Sequence, residues 1–384
     1  MKGRRLLMLS DLRSAHTKKW AEVLASEGMD VHIFGLTCAT ERFSGVTIHE
    51  GRISQKIANK GDGALIKLIY MKEIIRLKKL IKRLKPDVIH AHYASSYGLL
   101  GALTGFKPFL VSVWGMEVRS FPEKSVLHRS VIQFVLRKAD VLFSTSEYMA
   151  RGSKNWTDKE FVLTPFGVYL DDDASPKAGK AEDYNAADDI APKNERDKKI
   201  TIGCVKTIAE MYGQHVLIRA LSEVIKEAPG YDIKLELVGR GPGMDDFKEL
   251  AEKLGIGDKV IFRGYVPNEQ IMAVHDGFDI EVYPTQVNES FGVSTVEGMS
   301  RGVPCIVSKR GGLQDIVEDG VSGLHFKHDD VSDLKNAILK LILDKDLRLK
   351  IGAAGKQRVR DRYDLKENAR VMIREYERLL AQKK

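Results

Sequence analysis

The stretch PTQVNESFGVSTVEGM, residues 284–299, decides the fold because it joins an apolar run to the start of a helix. The run before it, Ile280–Tyr283, is typical of a buried strand, and the helix is predicted to begin near Gly292. Amides at a helix start lack intrahelical acceptors and lie at the positive end of the dipole, which suits them to a phosphate. The stretch therefore predicts a strand, a polar loop and an anion-binding helix start.

The same succession of strand and helix recurs along the chain. Helices are predicted at Thr17–Ser26 and Ile66–Leu84, and the chain from Val331 is almost entirely helical, ending in Asn368–Leu380. The alternation favours an α/β fold with two parallel, doubly wound sheets that are covered on both faces. The apolar runs predicted as strands are Leu6–Leu9, Val31–Gly35, Asp87–His90, Phe109–Val113, Val141–Ser144, Ile200–Val205, Lys234–Val238, Val260–Arg263, Ile280–Tyr283 and Cys305–Ser308.

A polar segment separates the two sets of strands. Residues 171–199 are rich in Ala, Asp and Lys and keep no apolar period, which predicts a linker or exposed loop. Ligands of such sheets bind outside the carboxyl ends of the strands, so the site is expected in a cleft between two domains. The predicted organisation is a Rossmann-like domain at 1–168, completed by a returning helix at about 368–384, a linker at 169–199, and a second Rossmann-like domain at 200–367.

Composition excludes several classes of protein. The 384 residues are 43% hydrophobic, which excludes wholesale disorder. Cys38, Cys204 and Cys305 form no metal-ligand spacing, so a reducing cytosol fits better than secretion. No apolar run reaches the length of a signal-peptide core or a membrane span. We therefore expect a cytoplasmic protein that is soluble or peripheral, with no bound metal.

The positive charge is concentrated in one segment. The net charge is +8, and Leu65–Lys85 alone carries eight Lys or Arg against one acid, Glu73. A basic amphipathic helix of this kind can lie on an anionic membrane surface. The alternative is a packed surface helix with a solvated basic face. Nucleic acid is not expected as a partner, because no helix-turn-helix, zinc or aromatic RNA-binding signature accompanies the charge.

Two carboxylates flank the predicted helix start. Glu289 comes just before the helix, and Glu297 lies in its second turn. Ionised carboxylates accept hydrogen bonds from paired sugar hydroxyls. Alternatively, Glu289 caps the helix and Glu297 is an ordinary solvated residue. The pair taken alone leaves both interpretations open.

The motifs after this helix select between them. Gly302–Ser308, Gly311-Gly312 and Glu318–Leu324, together with residues 284–299, resemble the signature of the family-4 retaining glycosyltransferases of the GT-B fold. The Glu-x7-Glu motif of that family matches Glu289 and Glu297. The resemblance extends over nearly the whole chain, through Pro86–His92, Thr164–Val168, Ile218–Leu221, Val238–Pro242 and Phe262–Pro267.

The resemblance implies a role for each matching residue. Glu297 would bind the ribose hydroxyls of the nucleotide, and Glu289 would lie beside the donor sugar and its leaving phosphate. The backbone of Val266 would meet the base. Such enzymes need no metal, because cationic groups and helix amides neutralise the leaving diphosphate. The resemblance also implies transfer with retention. The amides expected to hold the sugar and diphosphate belong to Ser290, Phe291, Gly292 and Val293.

The chain also departs from the family pattern. Relatives carry an Arg and a Lys after the first strand of the second domain, whereas here Lys206 supplies one cation and Met211 falls where the other is expected. Arg240 is a possible substitute. The run Trp114-Gly115-Met116-Glu117 resembles the Trp-Gly-Ser-Asp of one subgroup, which makes Glu117 a candidate catalytic carboxylate on the acceptor side.

Three further residues are acceptor-side candidates. His16 follows the first strand and is either a site residue or a local helix cap. Strand side chains alternate, so at most one of His90 and His92 is expected to be a site residue, and His92 is the candidate. Trp114 follows the strand Phe109–Val113.

These features predict a metal-independent, retaining transferase that moves a sugar from a nucleotide-diphosphate donor. A UDP-sugar is favoured over a GDP-sugar, and no cofactor is expected. The expected acceptor is a glycan or lipid-linked glycan of bacterial surface polysaccharide, at the inner face of the membrane. A GT-B sugar-nucleotide epimerase and a non-catalytic nucleotide-sugar-binding relative are the alternatives; the first usually lacks the Glu-x7-Glu context.

Overall fold

The computed structural model of the chain describes residues 1–59, 65–170 and 198–382. The described residues form two compact units. The first unit comprises residues 1–166 together with 365–384, and the second comprises residues 167–364. Most of the predicted linker, residues 171–197, lies outside the described residues.

The first unit is built on a parallel sheet of seven strands in the order β3-β2-β1-β4-β5-β6-β7. In β1, β4 and β5 nearly every residue is buried, because helices cover both faces of a parallel sheet. Leu9 is opposite Phe34 and Ala91, so β1, β2 and β4 end together at one edge of the sheet. The strands are β1 (Arg5–Leu9), β2 (Asp30–Phe34), β3 (Val46–His49), β4 (Val88–His92), β5 (Phe109–Val113), β6 (Val141–Ser144) and β7 (Phe161–Leu163).

Helices of the first unit connect these strands. The α-helices before the linker are α1 (Ala15–Ser26), α2 (Gln55–Ala58), α3 (Glu73–Leu84), α4 (Ser96–Thr104), α5 (Ser120–Glu123), α6 (Val126–Lys138) and α7 (Glu147–Ser153), and short 3₁₀ segments lie at Leu65–Lys72 and Met116–Val118. The prediction of one long helix over Ile66–Leu84 is therefore wrong in its first half, where the backbone is 3₁₀ and the α-helix begins only at Glu73.

The apolar side of α3 packs against the core of the first unit. Leu77 and Leu80 are buried, and Ile74, Ile81 and Leu84 contact the same cluster. Burying a side chain of this size contributes about 1.5–3 kcal/mol, so this side stays in the core. The basic side of the helix is the one that faces solvent.

The second unit contains a parallel sheet of six strands in the order β10-β9-β8-β11-β12-β13. Its strands are β8 (Lys199–Val205), β9 (Asp232–Val238), β10 (Val260–Gly264), β11 (Ile280–Tyr283), β12 (Cys305–Ser308) and β13 (Leu324–Phe326). Its α-helices are α8 (Gln214–Glu227), α9 (Met244–Lys253), α10 (Ile271–Asp276), α11 (Val293–Ser300), α12 (Leu313–Ile316), α13 (Val331–Leu343) and α14 (Lys345–Arg362), with 3₁₀ turns at Glu210–Tyr212 and Gly257–Lys259.

The last helix, α15 (Leu365–Ala381), returns to the first unit. Its Tyr376 is fully buried, and the Tyr376 hydroxyl lies 2.6 Å from Nδ1 of His90 on β4. The side-chain amide of Asn368 donates to the carbonyl oxygen of Pro165 over 3.0 Å. These contacts fix the helix that the sequence predicts at 368–384 to the first sheet. Within the described ranges no helix has the length and apolarity that crossing a bilayer would require.

Candidate functional site

The candidate donor site of the second unit lies where the loop after β11 leads into α11. Helix α11 starts after Gly292, and the preceding loop packs against the turn Gly311-Gly312. The amide of Gly312 donates to the carbonyl oxygen of Glu289 over 2.7 Å. At Gly311, where φ is +57°, a Cβ would lie 2.6 Å from the Glu289 amide nitrogen, so glycine is required. The backbone of the loop is thus held closely against its neighbour.

The structure brings Glu289 together with Lys206. Lys206 follows β8, and its ammonium donates to the Glu289 carboxylate over 2.5 Å. The two side chains are 22% and 12% exposed, so the pair is partly shielded from water but open on one side. The ammonium also lies 4.8 Å from the ring centroid of Tyr212. A cation beside a helix start can stabilise the negative charge that develops on a leaving phosphate, and the carboxylate can accept hydrogen bonds from sugar hydroxyls.

Glu297 lies in the second turn of α11 and is 8% exposed. On its buried side it faces His275 of α10, with 3.9 Å between Glu297 Oε2 and His275 Nε2. In the loop before α11, Phe291 is buried against Tyr363, with 5.7 Å between ring centroids. Phe291 can therefore offer a ligand its backbone, and Glu297 can offer a carboxylate oxygen.

The other residues that the sequence predicts for donor binding lie in other loops of the second unit. The loop that carries Arg240 packs against the loop after β8, since a Cβ at Gly239 would lie 2.1 Å from the Lys206 carbonyl oxygen. The Arg240 side chain is exposed. Val266 is half-buried in a small cluster with Val274. Met211 is 48% exposed, and its carbonyl oxygen accepts from the amide of Gln286.

The first unit has a cavity of about 320 Å³ at the carboxyl ends of β1 and β4. Asp11, Arg13, His92, Tyr93 and Trp114 contribute to its wall. The guanidinium of Arg13 donates to Asp11 over 3.0 and 3.1 Å, and that hydrogen bond raises the pKa of Arg13. The cavity combines an aromatic surface with an ion pair and hydroxyl groups, which is the chemistry that suits a sugar ring.

The three acceptor-side candidates come together beside this cavity. The ring centroid of Trp114 lies 4.8 Å from that of His92 and 6.2 Å from that of His16. His16, the second residue of α1, stacks on Phe166 with 4.1 Å between ring centroids. The aromatic contact of His16 extends the cluster from the end of β5 to the end of the predicted first domain.

The prediction that at most one of His90 and His92 faces the site rests on a wrong use of strand periodicity. Residues two apart in a strand point to the same face, and the two rings are 4.5 Å apart. Both are fully buried, but their surroundings differ. His90 is enclosed by Tyr376 and Ser112, whereas His92 lines the cavity and neither of its ring nitrogens has a hydrogen-bond partner among the described residues. Burial lowers the pKa of His92 to about 3, so its ring is neutral.

Glu117 lies behind Trp114 rather than on an open surface. It is fully buried, and its carboxylate accepts a hydrogen bond of 2.5 Å from the Trp114 amide. This contact closes the turn that follows β5. A direct catalytic role for Glu117 stays a prediction, and the geometry gives it a clear way to position the Trp114 ring.

The sequence analysis missed part of the cavity wall. Asp11, Arg13 and Tyr93 each follow the end of a strand, which is the signal that could have identified them. Tyr93 adopts φ +84°, a left-handed conformation that a bulky residue rarely takes. Such outliers concentrate at functional sites, which supports a role for this strand end.

Comparison with known protein families gives two matches, one in each unit. The family described as glycosyl transferases group 1 matches residues 186–358, and the family described as glycosyl transferase 4-like matches residues 5–146. Together they span most of both units. The matches are the expected ones for a chain whose second unit carries the Glu-x7-Glu region.

Individual relatives agree with these families. The chain is 26% identical over 297 residues to the GDP-mannose-dependent alpha-(1-6)-phosphatidylinositol monomannoside mannosyltransferase of Mycolicibacterium smegmatis, covering 73% of this chain and 74% of that protein. It is 35% identical over 156 residues to the D-inositol 3-phosphate glycosyltransferase of Corynebacterium jeikeium, covering 39% of this chain and only 37% of the relative.

Solved structures share the fold across nearly the full length. Sucrose-phosphate synthase from Thermosynechococcus elongatus has a TM-score of 0.76 at 20% identity, covering 99% of this chain and all of that one. Anabaena HepE in complex with UDP has a TM-score of 0.75 at 17% identity, covering 98% and 100%. Two parallel sheets flanked by helices, with these neighbours, define the GT-B class of α/β proteins. Within that class, the chain is a glycosyltransferase whose second unit matches the group 1 family and whose first unit matches the glycosyl transferase 4-like family.

Proposed function

We propose that the protein transfers a sugar from a nucleotide-diphosphate donor to a hydroxyl group of a glycan or lipid-linked acceptor, with retention and without a metal. The observation that carries the proposal is the Lys206–Glu289 ion pair beside the start of α11. The pair places a cation and a carboxylate beside the free amides of the helix start, in a unit that matches the group 1 family.

The proposed step balances as a substitution at the anomeric carbon. The bond between that carbon and the diphosphate oxygen breaks, and a bond to the acceptor oxygen forms on the same face of the sugar. The acceptor proton leaves with the diphosphate. Lys206 and the α11 amides would offset the charge that grows on the leaving group, which is why no metal is required in this scheme. Glu289 would accept from the donor sugar hydroxyls and orient Lys206.

The nucleotide would be held by groups farther along the same unit. Glu297 would accept the two ribose hydroxyls, and the backbone of Val266 would meet the base. Arg240 would add a cation that compensates for Met211. We propose a UDP-sugar rather than a GDP-sugar as the donor. The UDP complex of HepE supports this choice, whereas the curated mannosyltransferase relatives use GDP-mannose, so both nucleotides belong in the test.

The acceptor would bind in the first unit, in the cavity beside Trp114. The indole of Trp114 offers a surface for a sugar ring, and the Asp11–Arg13 pair offers an acceptor and a donor for its hydroxyls. The neutral ring of His92 can form a hydrogen bond with a hydroxyl group of the same sugar. Glu117 would act through Trp114 by fixing its turn.

The lipid-linked form of the acceptor would bring the enzyme to the inner face of the membrane. Apart from the exposed Ile75, the apolar residues of α3 are packed in or against the core, so insertion of that side into lipid is not part of the proposal. Instead the exposed cations Lys72, Lys79 and Arg83 would attract anionic lipid, each contributing about 1 kcal/mol near the surface. Surface-polysaccharide synthesis is the proposed setting.

The test is a thermal-shift and turnover screen with UDP, GDP and ADP sugars. A ligand present at 100 times its Kd should add about 2.7 kcal/mol to the free energy of unfolding. Turnover with acceptor, giving a product whose anomeric configuration matches the donor, is the expected result. Conversion of the nucleotide sugar without acceptor would favour an epimerase. Stabilisation without turnover on any acceptor would favour a binding protein.

A further inference from the structure

A histidine lies between two carboxylates inside the second unit. His275 of α10 is fully buried, and its Nδ1 lies 2.6 Å from Oε1 of Glu281, which is also fully buried. On the other side of the ring, Nε2 lies 3.9 Å from Oε2 of Glu297. That Nε2 has no hydrogen-bond partner among the described residues. The ring therefore connects a buried strand carboxylate with the carboxylate proposed to bind ribose.

Glu281 is packed directly against the helix that carries Glu297. A Cβ at Gly298 would lie 2.2 Å from Oε2 of Glu281, so the helix approaches that carboxylate as closely as glycine allows. The hydroxyl of Tyr283 donates to the same Oε2 and lies 2.9 Å from the Ser294 carbonyl oxygen in the first turn of α11. Glu281 thus has a fixed position, and any shift of its carboxylate would displace α11.

The charge balance of this group depends on His275. Burial alone would lower the pKa of His275, but the charge of Glu281 and its hydrogen bond, with a smaller contribution from Glu297, raise that pKa to about 10. The ring is therefore an imidazolium at neutral pH, with a hydrogen bond to Glu281 and an open N–H directed at Glu297. Without that cation, the carboxylates of Glu281 and Glu297 would lie on neighbouring elements of a poorly hydrated interior with no positive charge between them, which is an unfavourable arrangement.

We propose that His275, held in place by Glu281, is a positioning residue that keeps the Glu297 carboxylate oriented toward the nucleotide. The inference rests on the proposed ribose contact of Glu297. The 3.9 Å separation means that the present interaction is electrostatic rather than a hydrogen bond. A ribose contact on the open side of Glu297 would leave the interaction with the imidazolium on the buried side in place. Neither His275 nor Glu281 touches substrate in this scheme.

The test separates this role from simple packing. His275→Gln leaves Glu281 buried without its cation, so the melting temperature should fall. His275→Gln combined with Glu281→Gln removes both charges at similar volume, and the melting temperature should recover. Nucleotide binding should not recover with stability: the double variant should have a Kd for UDP, or for GDP if that is the nucleotide bound, about 10-fold higher than that of the wild type. KM for the donor should rise with it while kcat holds, as expected for lost uniform binding.

Two controls make the outcome decisive. In a Glu297→Gln background the double substitution should weaken nucleotide binding no further, because its effect passes through Glu297. If Glu297→Gln binds nucleotide like the wild type, the proposed ribose contact is at fault. If Glu297→Gln binds nucleotide weakly but the double variant, with its melting temperature recovered, binds like the wild type, the positioning role of His275 is overturned.

A measurement on the wild-type protein covers the case in which the double variant does not fold. The ring N–H resonances of His275 should be visible by NMR as those of an imidazolium at pH 7, and they should shift when UDP or GDP saturates the site. A neutral ring, or resonances that ignore a bound nucleotide, would contradict the inference.

Discussion

Substitution of Glu289 by Gln tests the chemistry assigned to the Lys206–Glu289 pair. The amide keeps the shape of the side chain and still accepts a hydrogen bond from Lys206, but it removes one charge from a pair that is 2.5 Å apart and only partly exposed. If the carboxylate holds Lys206 where it offsets the negative charge that grows on the leaving diphosphate, loss of the carboxylate charge should lower kcat by about 10²–10³, or about 2.7–4 kcal/mol. Donor affinity should change much less, because that charge develops only in the transition state.

A matched pair elsewhere in the same unit provides the control. Lys335 and Glu227 form an ion pair of 2.7 Å with exposed fractions of 17% and 50%. Glu227→Gln should lower the free energy of unfolding by at most about 1 kcal/mol, as for other surface pairs, and should leave kcat unchanged. Steady-state kinetics and melting temperatures on both variants decide the matter. Wild-type kcat and KM in Glu289→Gln, with donor and acceptor established, would refute the assignment.

Other consequences of the structure can be checked in parallel. Lys79→Glu with Arg83→Glu should weaken sedimentation with anionic vesicles and leave nucleotide affinity intact; equal binding to neutral vesicles would contradict an electrostatic mechanism. Gly311→Ala should displace the Glu289 loop and weaken donor binding, whereas Gly320→Ala, at φ +73° with no atom within 4 Å of the added Cβ, should cost stability alone. Because the pKa of His92 is lowered to about 3 in the folded state, its contribution to stability is full above about pH 6.5 and is lost as the pH falls. In a plot of the free energy of unfolding against pH, His92→Gln should therefore reduce the slope below pH 6.5 by up to about 1.4 kcal/mol per pH unit. An unchanged slope would contradict this.

The central strands of both sheets could be predicted because they are buried on both faces. Phe109–Val113, Val141–Ser144, Ile280–Tyr283 and Cys305–Ser308 have the bounds that the apolar runs predict. A strand in this position is apolar along its whole length, so its signal is strong and its ends are sharp. The fold class follows from such strands and the helices between them.

Among the described residues, three of the four edge strands were missed for the opposite physical reason, whereas β10 was predicted. β3 and β7 lie at the two edges of the first sheet, and their residues are mostly half-buried or exposed. β13 is an edge strand of only three residues. Mixed polarity and short length leave no period to detect. The 3₁₀ backbone before Glu73 was missed as well, since the apolar spacing there is compatible with an α-helix.

The candidate site could be predicted only where its residues follow one another in the chain. The loop from Glu289 to Glu297 forms one local motif, and the sequence identifies it. The contact of Lys206 with Glu289 joins residues 83 positions apart, and it was accessible only through the family pattern. The cavity beside Trp114 is assembled from residues at several strand ends, so no local pattern predicts it. The His275–Glu281 pair lies within six residues, but the sequence analysis identified no motif that predicts its contact.

The central claim is that a nucleotide binds the second unit through Glu297. Calorimetric titration of the wild-type protein and of Glu297→Ala with UDP and with GDP tests it most directly. A charged hydrogen bond contributes about 1.5–3 kcal/mol, so Glu297→Ala should weaken binding of the preferred nucleotide about 10- to 150-fold, with a melting temperature close to that of the wild type. Equal Kd values for the two proteins, or wild-type protein that binds neither nucleotide, would contradict the account.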